Sequence, residues 1–334
     1  MMKKLVSIII PLYNVERYVE ECCRAVFEQT YDNCEFVFVD DCGTDNSLKI
    51  VCSLIEEYSN LKDRVKILHH ECNKGIAAAR RTGMENASGT YALYVDSDDV
   101  PRRDMVERLM LIAEANDADV VMCGYSKEPN MCDVDKPRVW EEDHVQCMMH
   151  EVGGEVLYVI LWNKLIKRDL FVQHQLYPSP KLRRCEDNYI SCRLFFYAKK
   201  VMRTNEVLYF YRTVSSSLSN SWKKKSIPDT DSIIELVRSM NEFLEEHGFS
   251  NGPMQDAPPN GYRINALKDL LLCGDVEVID RNKHLFGRID WKTIAGMFKT
   301  NWPAALMCFL WKSQLHFLIP VARYFSRHGL YFKG

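Results

Sequence analysis

Five short runs in the first 125 residues are apolar almost without interruption: Leu5 to Ile10, Glu35 to Val39, Val65 to Leu68, Tyr91 to Val95 and Asp119 to Cys123. They are rich in β-branched and aromatic residues and largely lack alternation, the pattern of strands buried on both faces. Segments of helical period separate them at 15–29, 45–58, 75–87 and 102–115, the last opened by Pro101, which suits a first helical turn. Strand and helix in alternation predict a parallel sheet wrapped by helices. Beyond residue 126 the pattern loosens. A polar stretch to about 150 reads as a long loop, and order returns in LWNKLIKRDLF (161–171), CEDNYISCRLFFYA (185–198) and VLYFYR (207–212). A helical pattern occupies 226–248, and the Pro and Gly of 250–262 mark a linker.

In parallel sheets ligands bind outside the carboxyl ends of the strands. The segments there are PLYN (11–14), DDCGTDNS (40–47), HHECNKG (69–75) and DSDD (96–99). An acid before a helix is a good cap, which accounts for one Asp but not for Asp96, Asp98 and Asp99 together. At roughly 5 Å and an effective dielectric near 20, each like-charge pair costs on the order of 3 kcal/mol, so a cation belongs among them. All-oxygen donors favour Mn²⁺ or Mg²⁺, held by one or two carboxylates with water and substrate phosphate. Neither GxGxxG nor GxxxxGK[ST] follows a strand, so the metal, with help from Arg80, would neutralise the phosphates. Asp40 and Asp41 form a second acidic edge that can accept from a base N–H or a ribose hydroxyl, while Asp45 reads as a helix cap. His69-His70 lacks a third His or Cys and reads as plain surface.

With 334 residues and 47% hydrophobic content the chain can build a large core and a smaller module. Of its 43 basic residues six lie in 291–334, which holds no Asp or Glu, so an acidic body carries a basic tail. The cysteines number 13, form no CxxC pair and fall largely in apolar runs, as reduced thiols do. Pro11 and Asn14 interrupt the first apolar stretch, which argues against a signal peptide and for a cytoplasmic protein.

VSIIIPLYN, EFVFVDDCGTDNS, NKGIAAARRTGMENASGTY, YVDSDD, LWNKLIKRDLF, CED and LYFYR, in this order over roughly 4–215, resemble the family 2 glycosyltransferases of the GT-A fold. The resemblance implies an α/β fold, Rossmann-like with a mainly parallel sheet flanked by helices, and a mainly helical C-terminal region. It implies an inverting, metal-dependent hexosyltransferase. Its donor would be a nucleotide diphosphate sugar, usually uridine-linked, and its acceptor a hydroxyl of a saccharide or lipid-linked saccharide in surface polysaccharide synthesis. Carried over, Pro11 and Tyr13 flank the base, Asp41 bonds the uracil and Arg80 lies near the diphosphate. Asp96 faces ribose and metal, Ser97 joins the donor contacts and Asp98 faces the metal; Asp99 is either a supporting acid or a helix cap. Two departures stand out. Cys42-Gly43 replaces Gly-Ser, so the turn is expected to shift by one residue, and Ala79-Arg80-Arg81 carries an extra cation.

An inverting transfer needs a base for the acceptor hydroxyl, and an Asp with a pKa of about 3.9 suits it. On its own, Glu186-Asp187 reads as acid at a helix start; the family's Glu-Asp motif makes Asp187 the base. Lys164 is as readily a solvated residue beside a packed Trp162 as a phosphate contact. Cys42 has no base to make it a nucleophile. The expected organisation is a catalytic domain over 1–215, a helical extension over 216–290 and a basic aromatic tail over 291–334. That tail suits an anionic membrane surface, placing the enzyme at the inner face of the cell membrane, or a helical pair packed on the body; no nucleic-acid partner is expected. The competing functions are a catalytically silent nucleotide-sugar-binding subunit and a nucleotidyltransferase. The second wants a glycine-rich basic loop where PLYNVERY stands.

Overall fold

The computed structural model describes residues 3–131, 136–152, 154–182, 185–214, 230–249, 261–273 and 276–286, with 291, 294–295, 302–314 and 319. The chain divides into two compact units, Met1–Met148 with Val156–Val214, and Met149–Glu155 with Ser215–Gly334.

The first unit holds β1 (Val6–Leu12), α1 (Val19–Phe27), β2 (Cys34–Asp40), α2 (Ser47–Glu57), β3 (Val65–His69), α3 (Ile76–Asn86) and β4 (Tyr91–Tyr94). β1 is buried at every position, so both its faces are covered and its sequence has no reason to alternate. It pairs in parallel with β2, from Val6 opposite Cys34 to Leu12 opposite Asp40, and with β4 on its other side. β2 pairs in parallel with β3. The helix α3 lies close on this sheet at Gly83, where an added Cβ would stand 2.3 Å from Ile9 Cγ2.

Past β4 the sheet is mixed. Its order is β3-β2-β1-β4-β8-β6-β9-β5, with β7 also on β9. Here β5 is Val100–Pro101, β6 Val120–Ser126, β7 Val139–Glu142, β8 Lys164–Lys167 and β9 Val201–Phe210. β8 runs antiparallel between β4 and β6 and separates two strands that the sequence pattern made neighbours in a wholly parallel array. Four residues are too few for a period to show. Pro101 lies in β5, paired with Tyr209 of β9, and α4 (Met105–Asn116) starts later with Asp104 as its cap. The stretch read as a long loop holds β7 and α5 (His144–Val152), with 132–135 outside the described residues. Three short helices complete the unit: α6 (Val156–Val159), α7 (Asp169–His174) and α8 (Glu186–Tyr197).

The second unit is helical where described, with α9 (Thr230–Glu246), α10 (Gly261–Cys273) and a helix over Trp302–Lys312. Ala305, Cys308 and Leu310 of that last helix are buried, and Phe309 is 38% exposed. Of the linker predicted over 250–262, Gly261 and Tyr262 instead begin α10, and the rest, like most of the tail beyond 314, lies outside the described residues. No described helix is long and apolar enough to cross a membrane.

Candidate active site

The parallel strands β1, β2 and β4 end on one edge, so Tyr13, Asp40 to Gly43 and Asp96 to Asp99 emerge there together. Arg80 of α3 reaches that edge. Its guanidinium is 3% exposed and donates from Nη2 to Asp96 at 2.7 Å and from Nη1 to Asp187 at 2.8 Å and to Glu186. Burial pulls its pKa down, but the charges of Asp96, Asp187 and Glu186 outweigh that and hold it ionised. One cation thus joins the acid after β4 to two acids in the first turn of α8. Neither acid caps that helix, since the cap position is Cys185 in a left-handed conformation. Burial first, then the charge of Asp187, pushes Glu186 well above the ordinary carboxylate range, and the Arg80 charge opposes that rise.

The DSDD turn is held from β9. The Asp96 backbone N–H donates to the Tyr209 hydroxyl at 3.1 Å, the Arg212 N–H donates to Asp99 Oδ1 at 2.8 Å, and Arg212 Nε donates to the Asp98 carbonyl at 2.9 Å. Asp99 is 1% exposed and caps no helix. Burial, followed by the charges of Asp96 and Asp98, pushes it up to about 9. Burial and Asp96 push Asp98 up to about 6. With Asp99 neutral, Asp96, Asp98 and Asp187 still gather around Arg80 and Arg212, and Arg212 is itself paired with Glu21, which leaves room for added positive charge.

Among the described residues no three His, Cys, Asp or Glu side chains are arranged to hold a metal. Asp99 Oδ2 is buried without a hydrogen-bond partner among those residues, and the donors around it are hard oxygens. Such a set fits Mn²⁺ or Mg²⁺, ions that take one or two carboxylates and complete their shell with water and phosphate.

At the β2 edge Asp41 is 3% exposed; Oδ1 accepts from the Lys74 N–H at 2.8 Å and meets His70 Nδ1 at 2.6 Å, while Oδ2 accepts from the Gly75 N–H at 2.8 Å. His70, expected on plain surface, is buried between Asp41 and the Thr82 hydroxyl at 2.9 Å, because two hydrogen-bond partners replace its water. A pocket of about 230 Å³ beside this edge is lined by Tyr13, Asn14, Asp40 and Gly43 among others. Tyr13 is 47% exposed; Pro11 is buried in β1 opposite Val39, and Ser97 is buried. In the turn after β2 the left-handed residue is Cys42 itself, at φ 59°, and Gly43 has no need of its conformational freedom. Asp45 bonds the Ser47 N–H and hydroxyl at the start of α2. Trp162 stacks on Tyr209 with centroids 4.4 Å apart, whereas Lys164 is fully buried on the carbonyls of Leu157 and Ile160, away from solvent. The LYFYR run is visible in the sequence, but the grip of Tyr209 and Arg212 on DSDD is not, because it crosses more than a hundred residues.

The model of Glycosyl transferase family 2 matches residues 7–174. The chain belongs to this family. This glycosyltransferase is 33% identical to the glycosyltransferase GlyG of Streptococcus pneumoniae over 65% of this chain and 73% of GlyG. It is 32% identical to GlyA of the same organism over 72% of this chain but 36% of GlyA, which extends well beyond the match. In fold it resembles Staphylococcus aureus TarS 1–349 in complex with UDP-GlcNAc, with a TM-score of 0.61 at 18% identity over 98% of this chain and 93% of that one. It also resembles the mannosyltransferase PcManGT of Pyrobaculum calidifontis in complex with GDP-Man and Mn²⁺, with a TM-score of 0.54 at 16% identity over 100% and 89%. The fold is that of the GT-A enzymes.

Proposed function

We propose that this glycosyltransferase moves a sugar, with inversion, from a uridine diphosphate sugar to a hydroxyl of a saccharide or lipid-linked saccharide, in the building of a surface polysaccharide. The observation that carries the reading is the Arg80 bridge, which brings Asp96 at the donor edge and Asp187 at the start of α8 onto one guanidinium. Tyr13 and the pocket beside it take the base, and Asp41 Oδ2, with one bond made, retains a lone pair for a base N–H. Asp98 and Asp96 would hold Mn²⁺ or Mg²⁺, and the ion would supply positive charge for the diphosphate leaving group. Asp187 is the base: its carboxylate, 27% exposed and oriented by Arg80, takes the acceptor proton as the oxygen attacks the sugar carbon from the face opposite the diphosphate.

The polymer acceptor is supported by relatives such as TarS of S. aureus, named as a poly(ribitol-phosphate) β-N-acetylglucosaminyltransferase and 27% identical over 72% of this chain and 41% of TarS. The acid-free tail brings the enzyme to the anionic inner face of the membrane, where lipid-linked acceptors lie. Asp187→Asn tests the assignment. It keeps the shape and removes the proton acceptor, so turnover should fall by about 10²–10⁴ while UDP affinity stays within a few-fold. Near-normal turnover with an unchanged melting temperature would remove Asp187 from the mechanism.

A further inference from the structure

Cys42 and Cys72 are both exposed, on loops that leave the same sheet edge side by side. β2 and β3 end in register at Asp40 and His69, and the His70 N–H donates to the Asp40 carbonyl at 2.9 Å. Further on, the Asp41 carboxylate holds the Lys74 and Gly75 N–H groups, each at 2.8 Å. The exposed arc Glu71 to Asn73 is therefore pinned at both ends against the segment that carries Cys42. The Cys42 thiol points at this arc and donates to the Glu71 carbonyl, with Sγ 3.8 Å from the oxygen. That oxygen precedes the Cys72 Cα by one planar peptide, so the Cα lies within about 7 Å of Cys42 Sγ. A disulfide requires Cα atoms about 4.4–6.8 Å apart, and the Cys42 thiol already reaches the peptide that leads into Cys72. The buried thiols differ: burial pushes Cys23, Cys34 and Cys123 up to about 12 and keeps them protonated.

We propose that Cys42 and Cys72 form an oxidisable pair that closes as a disulfide under peroxide, and that closure weakens nucleotide binding in the adjoining pocket. The first thiol reacts with hydrogen peroxide to give a sulfenic acid and water, the sulfur losing two electrons to the O–O bond. The second thiol attacks that sulfur, forming the S–S bond and releasing a second water. A thiol reductant reverses the closure. The pocket feels it through Gly43, which follows Cys42, lines the pocket and donates its N–H to Asp40 Oδ1 at 3.2 Å. This second half rests on the pocket being the nucleotide site.

The experiment uses the full chain, reduced or treated with peroxide, digested with trypsin without reduction. A reductant-sensitive species joining peptides 25–49 and 67–74, lighter than their sum by two hydrogens and assigned to Cys42 by fragmentation, is expected. It should be absent from Cys42→Ser and Cys72→Ser. Both thiols alkylating fully after peroxide, or Cys42 joined elsewhere, would overturn the pairing. Titration with UDP and Mn²⁺ reads the second half: a several-fold loss of affinity in the oxidised chain, absent from Cys72→Ser, supports it, and equal affinity in a fully bridged sample overturns it. Reduced protein that ignores UDP altogether would instead refute the donor reading, and the peptide map would still decide the pairing.

Discussion

Replacing Arg80 by Gln removes the cation that three carboxylates share while leaving them in place. Breaking a buried ion pair from one side costs about 3–5 kcal/mol, because the partner charges stay behind without compensation. Here the partners are Asp96 and Asp187, at 2.7 and 2.8 Å from the guanidinium, and Glu186, which burial already pushes toward the neutral form. The two remaining charges repel by roughly 3 kcal/mol if about 5 Å apart at an effective dielectric near 20, which agrees with the lower end of that range. For a domain of about 200 residues each kcal/mol shifts the melting temperature by about 2–4 °C, so Arg80→Gln should melt roughly 10 °C below the parent at pH 7.5. The carboxylates can escape repulsion by taking up a proton. Their folded-state pKa values then rise above the unfolded ones, so the folded variant binds more protons than the unfolded chain and its stability falls as pH rises past about 4. The deficit should therefore shrink at pH 5.5. Thermal unfolding of both proteins at the two pH values measures it, with Arg80→Lys falling between them because an ammonium keeps the charge but lacks the planar fork. A variant that melts with the parent, or one whose deficit is the same at both pH values, would refute the account of Arg80 as the charge centre of the site.

Asp98→Ala should abolish Mn²⁺-dependent UDP binding, and calorimetry on the parent should show that binding weakens and releases more protons below about pH 6, where Asp98 is pushed up into its protonated form and must lose a proton to act as a ligand. Glu35, which accepts from Ser7, Lys66 and Ser88, is opposed by burial yet brought down to about 2 by those hydrogen bonds. Its contribution, roughly 2–3 kcal/mol by linkage, is present above about pH 4.5 and is lost as pH falls toward 2. A denaturant midpoint in Glu35→Gln that matches the parent at pH 7 would sink that claim. Deleting 291–334 should release the enzyme from anionic vesicles in a flotation assay, and salt should weaken binding of the intact chain; intact protein that never floats would rule the membrane role out.

In the parallel half, β1, β2 and β4 were legible because they are covered on both faces and read as unbroken apolar runs, whereas β3, expected to be buried on both faces, is only partly buried at the end of that sheet. β8 and β5 were not, since four and two residues carry no period and their pairing is decided by partners far along the chain. The acids of the site were legible as a cluster whose repulsion demands a cation. Which cation each would meet was not: Arg80 reads as a phosphate contact, and its links to Asp187 and Glu186 span 107 and 106 positions. His70 was read as plain surface for the same reason, since its burial depends on Asp41 and Thr82.

The missing side chain at Gly83 fixes a height. With Ile9 Cγ2 only 2.3 Å from where a Cβ would stand, any larger residue must lift α3 off β1, and Arg80 lies one helical turn away on that helix. The guanidinium is therefore registered against the floor of the sheet, as a surveyor's mark is set in bedrock, while the turns around Cys42 and Glu71 are draped above it. Changes confined to those turns should therefore leave the height of the guanidinium, and of the carboxylates it holds, where it is. A methyl group at position 83 would do the reverse, leaving every side chain around Arg80 in place in the sequence and spoiling the alignment of all of them.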